Sequence, residues 1–261
     1  MTTRMPVLFI SHGSPMHAIE PSTAATAWAE FAAGIPVPRA VLMVSAHWES
    51  GIPLLGGNPQ PETIHDFGGF PEELYRIHYA APGAPDVAQE ALQLLRDAGF
   101  SAGIEGCRGL DHGAWIPMLK MYPRANIPVL QLSVQPALGA PHHLALGRAL
   151  MALRDTGVFI IGSGHMTHNL RDFFVNPVSS GAVPYVKEFR DWVDQRVRSG
   201  NTEELLQWEH LAPHARRAHP TSEHFLPLFV ALGAAGEGYK VESSFEYFDG
   251  GVLAMDAYKF V

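Results

Sequence analysis

A short apolar run that ends in a histidine-bearing turn occurs three times in this chain. The clearest case is residues 39–48, in which Val, Leu and Met fill the run and Ser-Ala-His-Trp ends it. Residues 5–10 and residues 158–161 lead into similar turns. Apolar runs of this length, bounded by turn residues, are typical of strands that are buried on both faces. The histidines in these turns are His12, His47, His165 and His168.

A predicted helix joins the first two of these strands. It covers residues 22–33, with Ser22 or Thr23 able to cap it, and residues 34–36 (Gly-Ile-Pro) end it. A strand-helix-strand crossover makes its two strands parallel, so His12 and His47 should emerge at the same edge of a sheet. Open α/β sheets bind ligands at the carboxyl ends of their strands, and we therefore expect a binding site there.

The rest of the chain extends this α/β pattern. Helices are predicted over residues 86–98, 141–154, 185–198 and 202–208, and a strand over 127–132. A further short helix is predicted after a polar turn over residues 109–115 and ends at Met121. Residues 241–248 and 252–260 flank an Asp-Gly-Gly turn and predict a hairpin. With 47% hydrophobic residues, the 261-residue chain can fill one large core. We expect a single catalytic α/β domain over residues 1–261, with a mostly parallel or mixed sheet flanked by helices and a C-terminal hairpin.

Composition excludes several classes of partner. The net charge is −8 and no run of Lys or Arg occurs, so the electrostatic footprint of a nucleic-acid binder is missing. No apolar stretch approaches the roughly 18 residues of a membrane helix, and the N-terminus lacks the features of a signal peptide. Cys107 is the single cysteine, which excludes an internal disulfide, and we expect it to be at least partly buried. A cytoplasmic protein with a small partner is predicted, and its oligomeric state stays open.

Histidine is the unusual residue, with 14 copies. For six of them packing or surface exposure is a sufficient explanation: His17, His78, His142, His143, His210 and His214. Of these, His142 and His143 lie at the start of a predicted helix, where we expect them in solvent. The others lie beside Gly, Ser or Pro in predicted loops: His12, His47, His112, His168 and His224, with His65, His165 and His219 close by. Neutral imidazole is the commonest metal ligand, so three converging rings can form one face of a coordination sphere. HExxH, cysteine-based zinc spacings, GxSxG, GxGxxG and P-loop motifs are absent.

Six motifs, taken in order, make the chain recognisable. They are Ser11-His12-Gly13-Ser14-Pro15, Ser45-Ala46-His47-Trp48, His65-Asp66-Phe67-Gly68-Gly69-Phe70-Pro71, Asp111-His112-Gly113, Thr167-His168-Asn169-Leu170 and Glu223-His224-Phe225-Leu226-Pro227-Leu228. Together they resemble the class III extradiol ring-cleavage dioxygenases, and more closely the DOPA 4,5-dioxygenase branch. The resemblance extends from about Pro6 to the end of the chain.

The resemblance implies a metal site made of His12, His47 and His224. In the family these positions hold Fe(II) in the active enzyme, and Zn(II) can occupy such a site. The third ligand of the wider class is often a carboxylate, whereas the matching position here is His224 with Glu223 beside it. We therefore expect a site of three histidines, with Glu223 as a candidate outer partner.

The resemblance also implies the chemistry. His168 matches the catalytic acid/base and His112 a second histidine that contacts the substrate, which would be a small catechol that reacts with O₂ to give a muconic semialdehyde. A neutral imidazole can take the catechol proton and return it later. Whether His165 and His219 support the metal ligands without binding the metal themselves stays open. Weaker candidates for the pocket, drawn from the Gly-rich loop over residues 64–71 and from nearby aromatic residues, are Asp66, His65, Trp48, Phe70 and Trp115.

Alternatives remain at this point. Three histidines and a water also describe a catalytic zinc hydrolase, and the fold could belong to a binding protein that has lost its chemistry. Asp66 could merely cap its own loop. The choice of catechol is also open, because the nearest candidates for a substrate clamp are surface-type charges: Arg216, Arg217 and Lys187.

Overall fold

Four parallel strands form the centre of the sheet. The structure is a computed structural model that describes residues 4–175 and 181–261. Its strands are β1 (Val7–Ser11), β2 (Ala40–Glu49), β3 (Leu54–Gly56), β4 (Gly103–Glu105), β5 (Val129–Val134), β6 (Val158–Gly164), β7 (Val241–Phe245), β8 (Phe248–Asp249), β9 (Leu253–Ala254) and β10 (Ala257–Phe260). Eight of them form one mixed sheet in the order β4-β3-β5-β2-β6-β1-β10-β7. Strands β5, β2, β6 and β1 are parallel, and β10 is antiparallel to both β1 and β7.

The central strands are apolar on both faces because helices cover both faces. Successive side chains of a strand point to opposite sides, and in β1 Leu8 and Phe9 accordingly enter different hydrophobic clusters. Strand β2 divides Leu42 and Met43 in the same way. This double burial explains why the runs are continuously apolar rather than alternating.

Eleven α-helices surround the sheet in the described part of the chain. They are α1 (Thr23–Ala33), α2 (Glu72–Tyr75), α3 (Pro85–Asp97), α4 (His112–Met121), α5 (Gly139–Leu150), α6 (Leu170–Val175), α7 (Pro184–Ser199), α8 (Thr202–Leu205), α9 (Trp208–Leu211), α10 (Ala215–Ala218) and α11 (Leu226–Ala235). Helices α1 and α4 pack on one face, and α3, α5, α7 and α11 on the other. Of the two residues expected to cap α1, Ser22 is the N-cap, since its Oγ accepts the Ala25 N–H at 3.1 Å.

The predicted fold class is confirmed, with differences in detail. The helix expected over 202–208 is two short helices, α8 and α9, and the one expected over 141–154 ends at Leu150 and continues as a 3₁₀ turn (Met151–Thr156). The short helix expected after the turn over 109–115 already begins at His112. The C-terminal hairpin has the predicted antiparallel pairing, but each arm is divided, into β7 and β8 and into β9 and β10. No helix among the described residues is long and apolar enough to cross a membrane.

Two single-residue expectations are wrong. Cys107 is exposed rather than partly buried. His143, expected in solvent, is fully buried, and both of its ring nitrogens are used. Nδ1 lies 2.7 Å from the Gly139 carbonyl oxygen, and Nε2 accepts the Gln135 N–H at 3.0 Å.

Candidate metal centre and active site

The carboxyl ends of the parallel strands open into a cavity of about 490 Å³. His12 follows β1, and His47 lies near the end of β2. Helix α4 brings His112 as its first residue, while His224 lies just before α11. The imidazoles lining this cavity are His12, His47, His112, His165, His168 and His224. The edge of the sheet chosen from the strand pattern is therefore the edge at which these rings meet.

Three of these rings converge through their Nε2 atoms. The distance from His12 Nε2 to His47 Nε2 is 3.0 Å, and that from His47 Nε2 to His224 Nε2 is 3.4 Å. Two nitrogens bound to one ion at about 2.1 Å are about 3.0 Å apart at a right angle and about 3.4 Å apart at the tetrahedral angle. The observed spacings fit ligands that share one divalent ion.

Contacts on the far side of two of these rings, His12 and His224, orient their Nε2 lone pairs towards this point. Ser163 Oγ donates its single proton to the Gly113 carbonyl oxygen at 2.5 Å, so it can only accept from His12 Nδ1, which is 3.0 Å away. His224 Nδ1 lies 2.9 Å from Glu223 Oε1, which also accepts. Nδ1 therefore carries the proton in both rings. This leaves the Nε2 lone pair of each ring free to bind a metal.

Burial keeps the three rings neutral. Desolvation lowers the pKa of His12 and of His224 well below the usual value, and the neighbouring imidazoles lower each further. Desolvation and then the proximity of His112 lower the pKa of His47 to about 4. Since a metal binds the neutral imidazole, these rings have the protonation state that ligation requires.

Asp66 connects two rings of the site. Its Oδ1 accepts the backbone N–H of His112 at 2.9 Å and lies 3.0 Å from His112 Nδ1, while its Oδ2 lies 3.5 Å from His47 Nδ1. Burial alone would raise the pKa of this carboxyl, but the hydrogen bonds from His112 and the proximity of the His112 and His47 imidazoles outweigh burial and lower it to about 2. The carboxylate is thus ionised at the N-terminus of α4, where it also meets the positive end of the helix dipole. Asp66 caps this helix rather than its own loop.

The backbone of His47 is held by a buried polar network centred on Asp111. Ser45 Oγ donates to Asp111 Oδ1 at 2.6 Å, and Gln131 Nε2 donates to Oδ2 at 2.6 Å. Arg108 donates from Nη2 both to Asp111 Oδ2 and to the His47 carbonyl oxygen. The sequence analysis missed this network. The signal available was a serine two residues before His47 and an aspartate directly before His112.

His168 contacts one of the three candidate metal ligands but is not one of them. Its ring stacks on that of His224, with centroids 3.5 Å apart and an interplanar angle of 10°. Burial, followed by the nearby imidazoles of His219, His47 and His112, lowers the pKa of His168 to about 3. The ring is therefore neutral and half-buried at the cavity, where it can accept a proton.

Two other groups of side chains have metal-like spacing among the described residues. One combines Asp66 with His47 and His112, and the other combines Glu223 with His168 and His224. In each group the carboxylate already contacts Nδ1 of one or both of its own histidines. These contacts are those of partners that orient a ligand rather than of ligands themselves.

Only some of the weaker pocket candidates reach the cavity. Asp66 and Phe70 line it, as expected. Trp48 does not, because it follows His47 in a strand and points to the other face, where Arg108 lies 4.8 Å from its ring centroid. Trp115 is fully buried and donates to the Ile64 carbonyl oxygen at 3.0 Å.

The remaining histidines divide in a similar way. His65 is turned away from the cavity and hydrogen-bonds the Ile77 carbonyl oxygen at 3.0 Å. His165 lines the cavity, with its ring centroid 5.7 Å from that of His12. His219 lies outside it and contacts the Met166 carbonyl oxygen through Nε2 at 2.8 Å. Sequence reasoning also missed the lining residues Phe67, Leu170, Phe174 and Leu253.

Comparison with known proteins agrees with this site. The model of the family described as the catalytic LigB subunit of aromatic ring-opening dioxygenase matches residues 6–253. A 4,5-DOPA dioxygenase extradiol from Beta vulgaris is 45% identical over 257 residues, which cover 97% of this chain and 95% of that protein. A protein of the same name from Escherichia coli K12 is 39% identical, covering 89% and 86% of the two chains.

A solved structure shows the same fold. The crystal structure of an uncharacterized protein from Escherichia coli K12 superposes with a TM-score of 0.81 and 32% sequence identity, covering 98% of this chain and 99% of that one. The family match spans nearly the whole chain, and it includes every histidine that lines the cavity. The chain therefore belongs to the LigB family of aromatic ring-opening dioxygenases, and it is an extradiol ring-cleavage dioxygenase.

Proposed function

We propose that this dioxygenase depends on non-haem Fe(II) and opens the ring of a small catechol to give a muconic semialdehyde. Both atoms of O₂ enter the product, so the reaction balances without an external reductant. The observation that carries the proposal is the convergence of three neutral Nε2 atoms, of His12, His47 and His224, at the spacing of shared ligands. The printed names of the relatives, 4,5-DOPA dioxygenase extradiol, support a catecholic substrate.

The ligand set fits iron in this role. Three imidazoles on one side of an ion leave coordination positions open on the other, and His with open positions is the kind of site that non-haem iron uses. Bound Fe(II) would supply the charge that acidifies the catechol hydroxyls and the electron exchange that lets the ring react with O₂. Zn(II) would fit the same nitrogens, so binding affinity alone does not identify the native metal. Comparing the dioxygenase activity of the iron and zinc forms does.

The protein groups around the ligands would move the protons. His168 is neutral and can accept a catechol proton at a ring nitrogen, then return it as the ring opens. The carboxylate of Asp66 lies 3.0 Å from His112 Nδ1, which favours the proton on Nδ1 and leaves Nε2 of His112 to accept from a substrate hydroxyl. The residues in this scheme come from both ends of the sequence, which supports our proposal that residues 1–261 act as one catalytic domain.

Oxygen uptake tests the proposal. The purified protein is loaded with Fe(II) under anaerobic conditions and mixed with oxygenated catechol, and one O₂ should be consumed for each yellow semialdehyde formed. His12→Ala should lose both metal and turnover, whereas His210→Ala, at an exposed histidine outside the site, should keep both. A zinc-loaded protein that cleaves esters without O₂ while the iron form leaves catechols intact would favour a hydrolase and overturn the proposal.

A further inference from the structure

The lining of the catalytic cavity has a polar and an apolar part. The polar part includes the imidazoles and Asp66, and the apolar part consists of the buried Leu253 and of four less buried side chains, here called the entrance side chains: Phe67, Phe70, Leu170 and Phe174. Leu170 is 44% exposed and Phe174 is 74% exposed, which leaves them available to a substrate. A catechol whose hydroxyls face the imidazoles would therefore direct its ring substituent towards apolar groups.

Among the residues that the structure describes, none of those lining this cavity is Lys or Arg. Residues 176–180, between the two described ranges, also contain neither in the sequence. Two arginines on segments beside the cavity have other partners. Arg108 bonds Asp111 and the His47 carbonyl oxygen, and Arg217 pairs with Asp172 at 2.8 Å. The described lining thus offers no Lys or Arg as a counter-ion for a substrate carboxylate.

The turn of α6 explains why a basic residue so close in sequence does not reach the entrance. Residues four apart share one face of a helix, and Leu170 and Phe174 line the catalytic cavity. Arg171 and Val175 lie one position further along and line a different depression, together with Asp172 and Pro220. The helix therefore presents its apolar pair to the active site and its arginine to another surface.

The carboxylate on the cavity wall gives a substrate carboxylate no partner either. Asp66 is the one acidic residue among the described residues that line the cavity, and it already contacts His47 and His112. A substrate carboxylate among the apolar lining side chains would lose water without gaining a partner. A neutral alkyl or ester substituent would avoid that cost and would gain contact with Phe67 and Phe174.

These observations point to a substrate class. We propose that the enzyme favours catechols with an uncharged, apolar ring substituent, which the entrance side chains hold, over the same catechols with a carboxylate side chain. The proposal rests on the catechol cleavage proposed above. It also predicts that a catecholic amino acid, with its carboxylate and ammonium groups, is a poorer substrate than a neutral analogue.

A matched substrate pair tests the preference. 3-(3,4-Dihydroxyphenyl)propanoate and its methyl ester differ in charge while keeping the ring and chain. In oxygen uptake the ester should have a kcat/KM about tenfold higher than that of the acid, or more. In anaerobic calorimetry with the iron-loaded enzyme the Kd of the ester should be lower by a similar factor. Equal values, or a preference for the acid, would overturn the proposal. If neither compound nor catechol consumes O₂, catechol cleavage itself fails, and the ratio of the two Kd values still decides the charge preference.

Two arginine variants on α6 test the assignment of the entrance. Phe174→Arg places a cation on the face that lines the cavity, and it should shift the acid-to-ester ratio of kcat/KM towards the acid by about tenfold. Val175→Arg adds the same charge to the adjacent position, beside Arg171, and should leave the ratio unchanged. Both positions are exposed, so folding should be preserved. An equal shift in the two variants, or none in Phe174→Arg, would contradict the proposal.

Discussion

The imidazole of His168 stacks on that of His224, with centroids 3.5 Å apart and planes inclined by 10°. Because stacking uses the faces of the rings, the nitrogen atoms at their edges stay available, Nε2 of His224 for a metal and the ring nitrogens of His168 for a proton. The two histidines are thus in contact but have separate proposed roles.

Replacing His168 should therefore separate turnover from metal binding. We expect His168→Ala to lower kcat by about 100- to 10,000-fold, because the proposed proton acceptor is gone, while the bound iron stays close to one per chain. Oxygen uptake and metal analysis on the same preparation measure the two effects. Normal turnover by this variant would show that the acid/base role is misassigned, and loss of the metal would show that His168 supports ligation instead.

A buried hydroxyl should control the affinity of the metal site. Ser163 Oγ accepts from His12 Nδ1 at 3.0 Å and so directs the free lone pair of His12 to Nε2. Ser163→Ala should lower metal affinity by about 10- to 100-fold, as loss of an orienting partner does elsewhere. Competition with a chelator measures the metal affinity of the variant and of the parent.

Ser133→Ala provides the matched control for this prediction. Ser133 is equally buried but bonds Ser50 and the Leu54 N–H, away from the histidines. Its loss should reduce stability without changing metal affinity. If the two variants weaken the metal equally, the effect comes from general loosening of the sheet rather than from the orientation of His12.

The convergence of His12 and His47 was predictable from sequence because it follows from a local rule. Two buried strands joined by a helix must be parallel, and their carboxyl ends must share an edge. Contacts between distant segments follow no such rule. Asp66 reaches the first turn of a helix 46 positions away, and nothing in its own loop indicates that partner.

Hydrophobic periodicity in the sequence did not predict every element or the direction of every side chain. Every residue of α11 is buried, so its sequence has no amphipathic pattern to tell a helix from a strand. The expectation that Trp48 lines the pocket could have been avoided from sequence. Side chains alternate along a strand, so Trp48 points to the face opposite that of His47. His224 was singled out as one of the loop histidines, but its selection as the third metal ligand came only from the resemblance to a family, because its loop carries no strand pattern.

A glycine in β6 should be essential for placing His224. A Cβ added to Gly164 would lie 2.1 Å from the His224 carbonyl oxygen, a backbone atom that cannot move aside easily. Gly164→Ala should cost about 1–3 kcal/mol of unfolding free energy and displace His224, which weakens metal binding. Gly51→Ala, at a position with open space around it, should change neither property. Thermal unfolding and chelator competition compare the two, and an unaffected Gly164→Ala protein would contradict the close approach.

The buried ring of His143 should make the protein less stable in acid. Burial, with a smaller effect of His142, lowers the pKa of His143 from 6.5 to about 4, against the opposing hydrogen bond to Gly139. Protonation would also oppose the N–H of Gln135 that Nε2 accepts at 3.0 Å. Between pH 6.5 and 4 the unfolded chain therefore binds more protons at this residue than the folded one, so stability falls as the pH falls.

The slope of this loss is about 1.4 kcal/mol per pH unit, which amounts to about 3 kcal/mol over the whole window. His143→Gln keeps one donor and one acceptor but does not titrate. Its unfolding free energy, measured by urea denaturation at pH 4 to 7, should fall less steeply than that of the parent by this slope. His210→Gln, at an exposed ring, should follow the parent curve. Because all other titrating groups are shared, parallel curves for the parent and His143→Gln would mean that His143 does not contribute to the acid sensitivity.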